Sequence, residues 1–75
     1  MTRNFIAFIE FDPETNLYVG FVPGLPGAHS QGATVDELSD NLREAIELVC
    51  EERRAAGEPL EVPRFVGIQQ IAVNE

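Results

Sequence analysis

Few residues of this 75-residue chain are of a type that does chemistry, and their spacing decides most of them. His29 and Ser30 are the one neighbouring base and hydroxyl. If residues 28–31 form a strand, the two side chains point to opposite faces, so the imidazole is badly placed to activate the hydroxyl. A lone histidine with no cysteine near it in sequence is equally poor as the start of a metal site. His29 therefore reads as a structural or partner-contact residue. Gly24, Gly27 and Gly32 precede a helix, where backbone amides can hold phosphate. The chain has no lysine, and the glycine spacing is not that of a dinucleotide fingerprint. The glycines read instead as positive-φ positions in a tight connection. Cys50, the single cysteine, falls at the flank of a helical apolar stripe, far from a helix N-terminus that would favour a thiolate. It reads as a small buried hydrophobe. A two-metal nuclease would need carboxylates converging from several elements. The first strand supplies only Glu10, with Asp12 in the turn after it. No catalytic residue, cofactor or metal ligand is expected.

The elements that position these groups follow from periodicity and punctuation. Residues 4–11 are β-branched and aromatic on both alternations: Phe5, Ala7, Ile9 and Phe11 on one face, Ile6, Phe8 and Glu10 on the other. Asp12-Pro13-Glu14-Thr15-Asn16 is turn chemistry, and residues 17–22 resume as a second strand, predicting an antiparallel hairpin. Gly20 inside that strand marks a bulge or a close approach. Pro23-Gly24-Leu25-Pro26-Gly27 then fixes a rigid loop before the short strand at 28–31. Thr34-Val35-Asp36-Glu37 matches a capping box, with Glu37 reaching back to the amide of Thr34. Val35, Leu38, Leu42, Ala45, Ile46, Val49, Arg53 and Ala56 recur at helical spacing, and Gly57 suits the position just past the end. These limits predict a helix over 35–56. A proline-punctuated connection leads to a last predicted strand over 64–73. The order β-β-β-α-β describes a small two-layer α+β domain, with one long helix on an antiparallel-rich sheet. The far face of that sheet is apolar with nothing in the chain to cover it, which favours a homodimer.

Composition narrows the class. With 13 acidic and 5 basic side chains the formal net charge is −8. No basic face can form to neutralise phosphate, so direct DNA binding is not expected. No apolar run approaches the ~18 residues that span a bilayer. From Met1-Thr2-Arg3 the chain passes into an alternating stretch that soon carries Glu10 and Asp12, unlike a signal peptide. A single cysteine can form no intrachain disulfide, and a cytoplasmic location is expected. A domain this short buries only about 60% of its unfolded surface, and oligomerisation is the remaining common way to stabilise it. Seven of the thirteen acids (Asp36, Glu37, Asp40, Glu44, Glu47, Glu51, Glu52) fall on the helix, including like-charge pairs at i,i+4. They serve either solubility or the steering of a basic partner.

The stretch from Tyr18 to Leu38 resembles the HicB-like antitoxins of type II toxin–antitoxin pairs. The resemblance rests on Phe21, Pro23, Leu25, Pro26, Gly27, Gln31, Gly32, Thr34 and Glu37, continues through Asn41-Leu42-x-Glu44-Ala45-Ile46-Glu47, and covers nearly the whole chain. It implies a partial ribonuclease-H-like fold. It also implies a cytoplasmic antitoxin that occludes the active site of a small basic HicA-like toxin and so blocks mRNA cleavage. Pro23, Gly27, Gly32, Thr34 and Glu37 are then motif residues of structure. Two departures stand out: Gly24 occupies a position where many members carry aspartate, and residues 1–75 read as one HicB-like domain with no C-terminal DNA-binding domain. The residues expected to meet the toxin are Leu25, Pro26, His29 and Gln31 in and after the loop, and Asp36, Asp40, Glu44, Glu47 and Glu51 on the helix. The alternatives are an orphan dimeric protein-binding scaffold and a metal-dependent ribonuclease-H-like nuclease.

Overall fold

The structure, a computed structural model, describes residues 3–75. Met1 and Thr2, with which the signal-peptide reading begins, lie outside the described residues. Three strands form one antiparallel sheet in the order β1 (Phe8–Asp12), β2 (Leu17–Phe21), β3 (His29–Gly32), and the helix α1 (Val35–Ala55) follows. This is the small α+β architecture expected. In the β1–β2 hairpin Phe8 lies opposite Phe21 and Asp12 opposite Leu17. The turn is held by Asp12, whose carboxylate accepts from the Glu14 amide at 3.0 Å and the Thr15 hydroxyl at 3.1 Å. Asn16 takes a φ of 59°, a left-handed conformation that a short polar side chain tolerates.

β1 starts at Phe8, not at residue 4, for a reason that lies in the partner strand. Any residue before Phe8 would have to pair with residues after Phe21, and there the chain turns at Val22-Pro23 into its loop. That loop closes on itself. The Val22 amide donates to the Ala28 carbonyl at 2.9 Å, and the Ala28 amide donates to the Leu25 carbonyl at 3.0 Å. Gly24 and Gly27 sit at φ of 78° and 91°, conformations that favour glycine. Val22, Leu25 and Ala28 are buried with Val49 of α1, and Phe5, Ala7, Ile46, Leu60 and Val62 pack around them. The loop is thus a wall of the core.

The helix starts where predicted and stops one residue sooner, at Ala55. Thr34 caps the start, its hydroxyl accepting from the Glu37 amide at 3.1 Å. The Glu37 carboxylate reaches back one residue further than expected, to the Ala33 amide at 3.3 Å. At the other end the Glu58 amide bonds the Arg53 carbonyl and the Gly57 amide bonds that of Arg54, with Gly57 at a φ of 70°: a Schellman stop. The helix rests on β2 and β3 and leaves β1 uncovered. Its seat is defined by two glycines. A Cβ on Gly20 would stand 2.8 Å from the Leu42 side chain, and one on Gly32 would stand 2.5 Å from the Leu38 amide nitrogen. Gly20 is therefore a close approach. The Asn41 side-chain amide adds a tether, donating to the Gln31 carbonyl at 2.8 Å.

The predicted strand over 64–73 does not form. After α1, Leu60 and Val62 dock on the core, and Pro63 packs where a Cβ of Gly24 would be. Neither Pro59 nor Pro63 has an amide to donate. Among the described residues, 64–73 pair with no strand. Expected outcomes follow from the glycine seat. Gly32→Ala meets backbone that cannot move and should destabilise by about 2–3 kcal/mol, more than Gly20→Ala, which meets mainly a mobile leucine methyl. Thermal unfolding of the two variants checks the order.

Candidate functional site

The helix has two unlike sides. Leu38, Leu42 and Val49 face the sheet and are buried. At 100° per residue, Asp36, Asp40, Glu44, Glu47 and Glu51 fall on the opposite side, and all five are exposed. Arg43 approaches Asp40 at 3.5 Å, an exposed pair that contributes little. The result is an acidic ridge running the length of α1, pointing away from the core. Leu48 stands beside it, 59% exposed, one turn from Glu44. Sequence reasoning passed over Leu48; its only signal is an apolar residue off the buried stripe.

The loop residues go to three different places. Leu25 is 2% exposed and lies in the core, so the expectation that it meets a partner is corrected. A leucine between two prolines looks like a surface turn residue, but here the turn folds inward. Pro26 is exposed and borders a pocket of about 310 Å³ with Val49, Glu52 and Arg53, near the C-terminal end of the helix. His29 and Gln31 lie on the other side of the molecule. Gly20 faces the helix, and Ser30 pairs with it, so their neighbours His29 and Gln31 alternate onto the open face of the sheet. They are exposed there beside Val19 and Phe21. Phe8 and Phe21 pack across this face with ring centroids 5.6 Å apart. The helix acids and the pair His29 and Gln31 therefore lie on two sides separated by both layers of the fold.

The groups considered for catalysis do not converge. Glu10 is exposed, and both carboxylate oxygens of Asp12 are engaged in the hairpin turn. Among the described residues no group of three or more His, Cys, Asp or Glu side chains is placed to hold a metal ion. Cys50 is free and half-buried on the helix. Among the described residues no helix is long and apolar enough to cross a membrane.

A short core sealed by a Pro-x-Leu-Pro-Gly loop, a capped helix and an acidic ridge can be set against known proteins. The model of the HicB-like antitoxins of bacterial toxin–antitoxin systems matches residues 5–74. The chain belongs to the HicB-like antitoxin family. Relatives of similar length named UPF0150 protein support the grouping. One from Thermotoga maritima is 45% identical over 70 residues, covering 93% of this chain and 89% of the relative. One from Synechocystis is 44% identical over 71 residues, covering 95% and 96%. One from Archaeoglobus fulgidus is 41% identical over 70 residues, covering 93% and 94%. No solved structure matches the chain with significance. In this HicB-like antitoxin Gly24 has a structural partner: an aspartate there would place its Cβ 2.0 Å from the Pro63 ring. The family match also runs through residues 64–73, so the unpaired segment lies within the family pattern. Leu25→Ala should lower stability by about 2–5 kcal/mol, whereas Pro26→Ala, His29→Ala and Gln31→Ala should leave the melting temperature almost unchanged. Thermal melts of the four variants test that division.

Proposed function

We propose that this HicB-like antitoxin is a cytoplasmic, non-enzymatic homodimer that neutralises a small basic HicA-like toxin by covering its active site. In this reading it uses no cofactor and makes no direct contact with DNA. The observation that carries the reading is the ridge of Asp36, Asp40, Glu44, Glu47 and Glu51, turned outward on a helix whose other side is committed to the core. A chain tuned for stability alone would alternate signs along that ridge; like charges at i,i+4 cost a few tenths of a kcal/mol each. A cationic enzyme surface would be drawn to the ridge and oriented by it. Leu48 offers an apolar anchor at its margin. His29 and Gln31 are on the opposite side and play no part in this contact.

Co-expression with a small basic toxin encoded beside the antitoxin should restore growth, and the pair should co-purify at low salt. The double variant Glu44→Lys with Glu47→Lys should slow association about tenfold or more at low salt, with a smaller change in dissociation. His29→Ala and Gln31→Ala should leave both rates unchanged. Stopped-flow or surface-based binding kinetics at two ionic strengths reads all of these. An association rate insensitive to salt and to charge reversal would exclude steering by the ridge, and failure of both rescue and co-purification would exclude the antitoxin reading.

A further inference from the structure

We infer that residues 64–73 are a β-strand whose partner is the free edge of β1 in a second copy of this chain, the two copies exchanging this arm reciprocally. The inference deepens the homodimer of the proposed function and does not depend on a toxin.

Three observations carry it. The first is excess surface. The chain exposes 6299 Å², where a compact domain of its mass exposes ~4,600 Å². Its radius of gyration is 14.5 Å, where a compact chain of this length has ~11 Å. The surplus of roughly 1,700 Å² exceeds the ~800 Å² that each partner contributes to a stable interface.

The second is the arm. Val66 is 91% exposed and Ile68 83%, and Ile71 and Val73 are each 76% exposed. Residues 65–73 carry no charge, and both of their alternating faces are largely apolar. An exposed segment of that composition has the pattern of a strand without its neighbour. Ten extended residues span ~33 Å, enough to leave one body and run along another.

The third is the acceptor. Among the described residues β1 is an edge strand with no neighbour on its outer side. Its helix side is apolar, with Ile9 and Phe11 exposed, and its open side carries Phe8, also exposed, beside Glu10 and Asp12. A groove of about 450 Å³ lies between the start of β1 and α1, lined by Ala7, Ile9, Leu42 and Ile46 with Arg43 and Glu47 at its side. An unprotected edge of this kind is a template for strand addition. The other edge, β3, is four residues of His-Ser-Gln-Gly and has no comparable apolar content. Donor and acceptor lie on the same chain, so the exchange closes on itself in a two-fold dimer in which each arm completes its partner's sheet.

The test compares the full chain with the double variant Ile68→Asp, Ile71→Asp. Both substituted residues are exposed on one body, so the helix signal in circular dichroism should be retained. Sedimentation equilibrium across a dilution series should give twice the chain mass for the wild type. The dissociation constant of the variant should be raised about tenfold or more. In a mixed sample of isotope-labelled and unlabelled wild type, filtered NOEs should connect residues 64–73 of one copy with residues 8–12 of the other. A monomeric wild type overturns both the exchange and the homodimer and leaves the antitoxin reading standing. A dimer that the variant forms equally well, or arm contacts found only within one copy, overturns the exchange alone. A wild type that is monomeric but loses toxin binding on the double substitution would assign the arm to the toxin instead.

Discussion

A Cβ on Gly32 would stand 2.5 Å from the Leu38 amide nitrogen and one on Gly20 would press on the Leu42 side chain, so the helix lies where it does because two strand positions carry no side chain. Much else depends on that close approach. It brings Leu38 and Leu42 onto the sheet with almost no solvent left between the layers. It places Asn41 within reach of the Gln31 carbonyl, which fixes the rotation of the helix about its own axis. Once that rotation is fixed, the outward side of α1 is decided, and with it the line of carboxylates that the protein shows to its surroundings.

What could be read from the sequence was what is locally determined. The helix limits came out within a residue, because Thr34 at one end and Gly57 at the other act on amides and carbonyls a few positions away. The hairpin was readable for the same reason: Asp12 and Asn16 close it without help from elsewhere. Residues 4–7 alternate as a strand does, yet a strand also needs a partner, and the partner strand turns away at Pro23. The segment 64–73 is the same lesson at longer range. Its pattern is that of a strand, but pairing is not a property of the segment alone.

The site was legible by composition and not by placement. The acids of α1 could be put on one face from spacing, and the structure bears out that they are exposed. Leu25 was misplaced because a turn rich in proline and glycine is normally at the surface, and nothing in its local sequence tells that its backbone bonds fold it under Val49. His29 and Gln31 are two and four residues from Gly27, and Gln31's own neighbour Gly32 leads into the helix, yet they end on the far side of the sheet from the ridge. Alternation says that strand neighbours diverge; only the helix packing says which of the two faces is left open.

The acidic ridge makes dissolved ions act on this protein with two opposite signs. In the free chain, salt screens the repulsions between Asp36 and Asp40, Asp40 and Glu44, and Glu47 and Glu51, and so firms the helix. In a complex with a cationic partner, the same ions compete for the ridge and loosen the pair. A cationic partner would take over the work of a counter-ion atmosphere. The free chain is therefore least stable in dilute solution, where nothing screens the repulsions along the ridge.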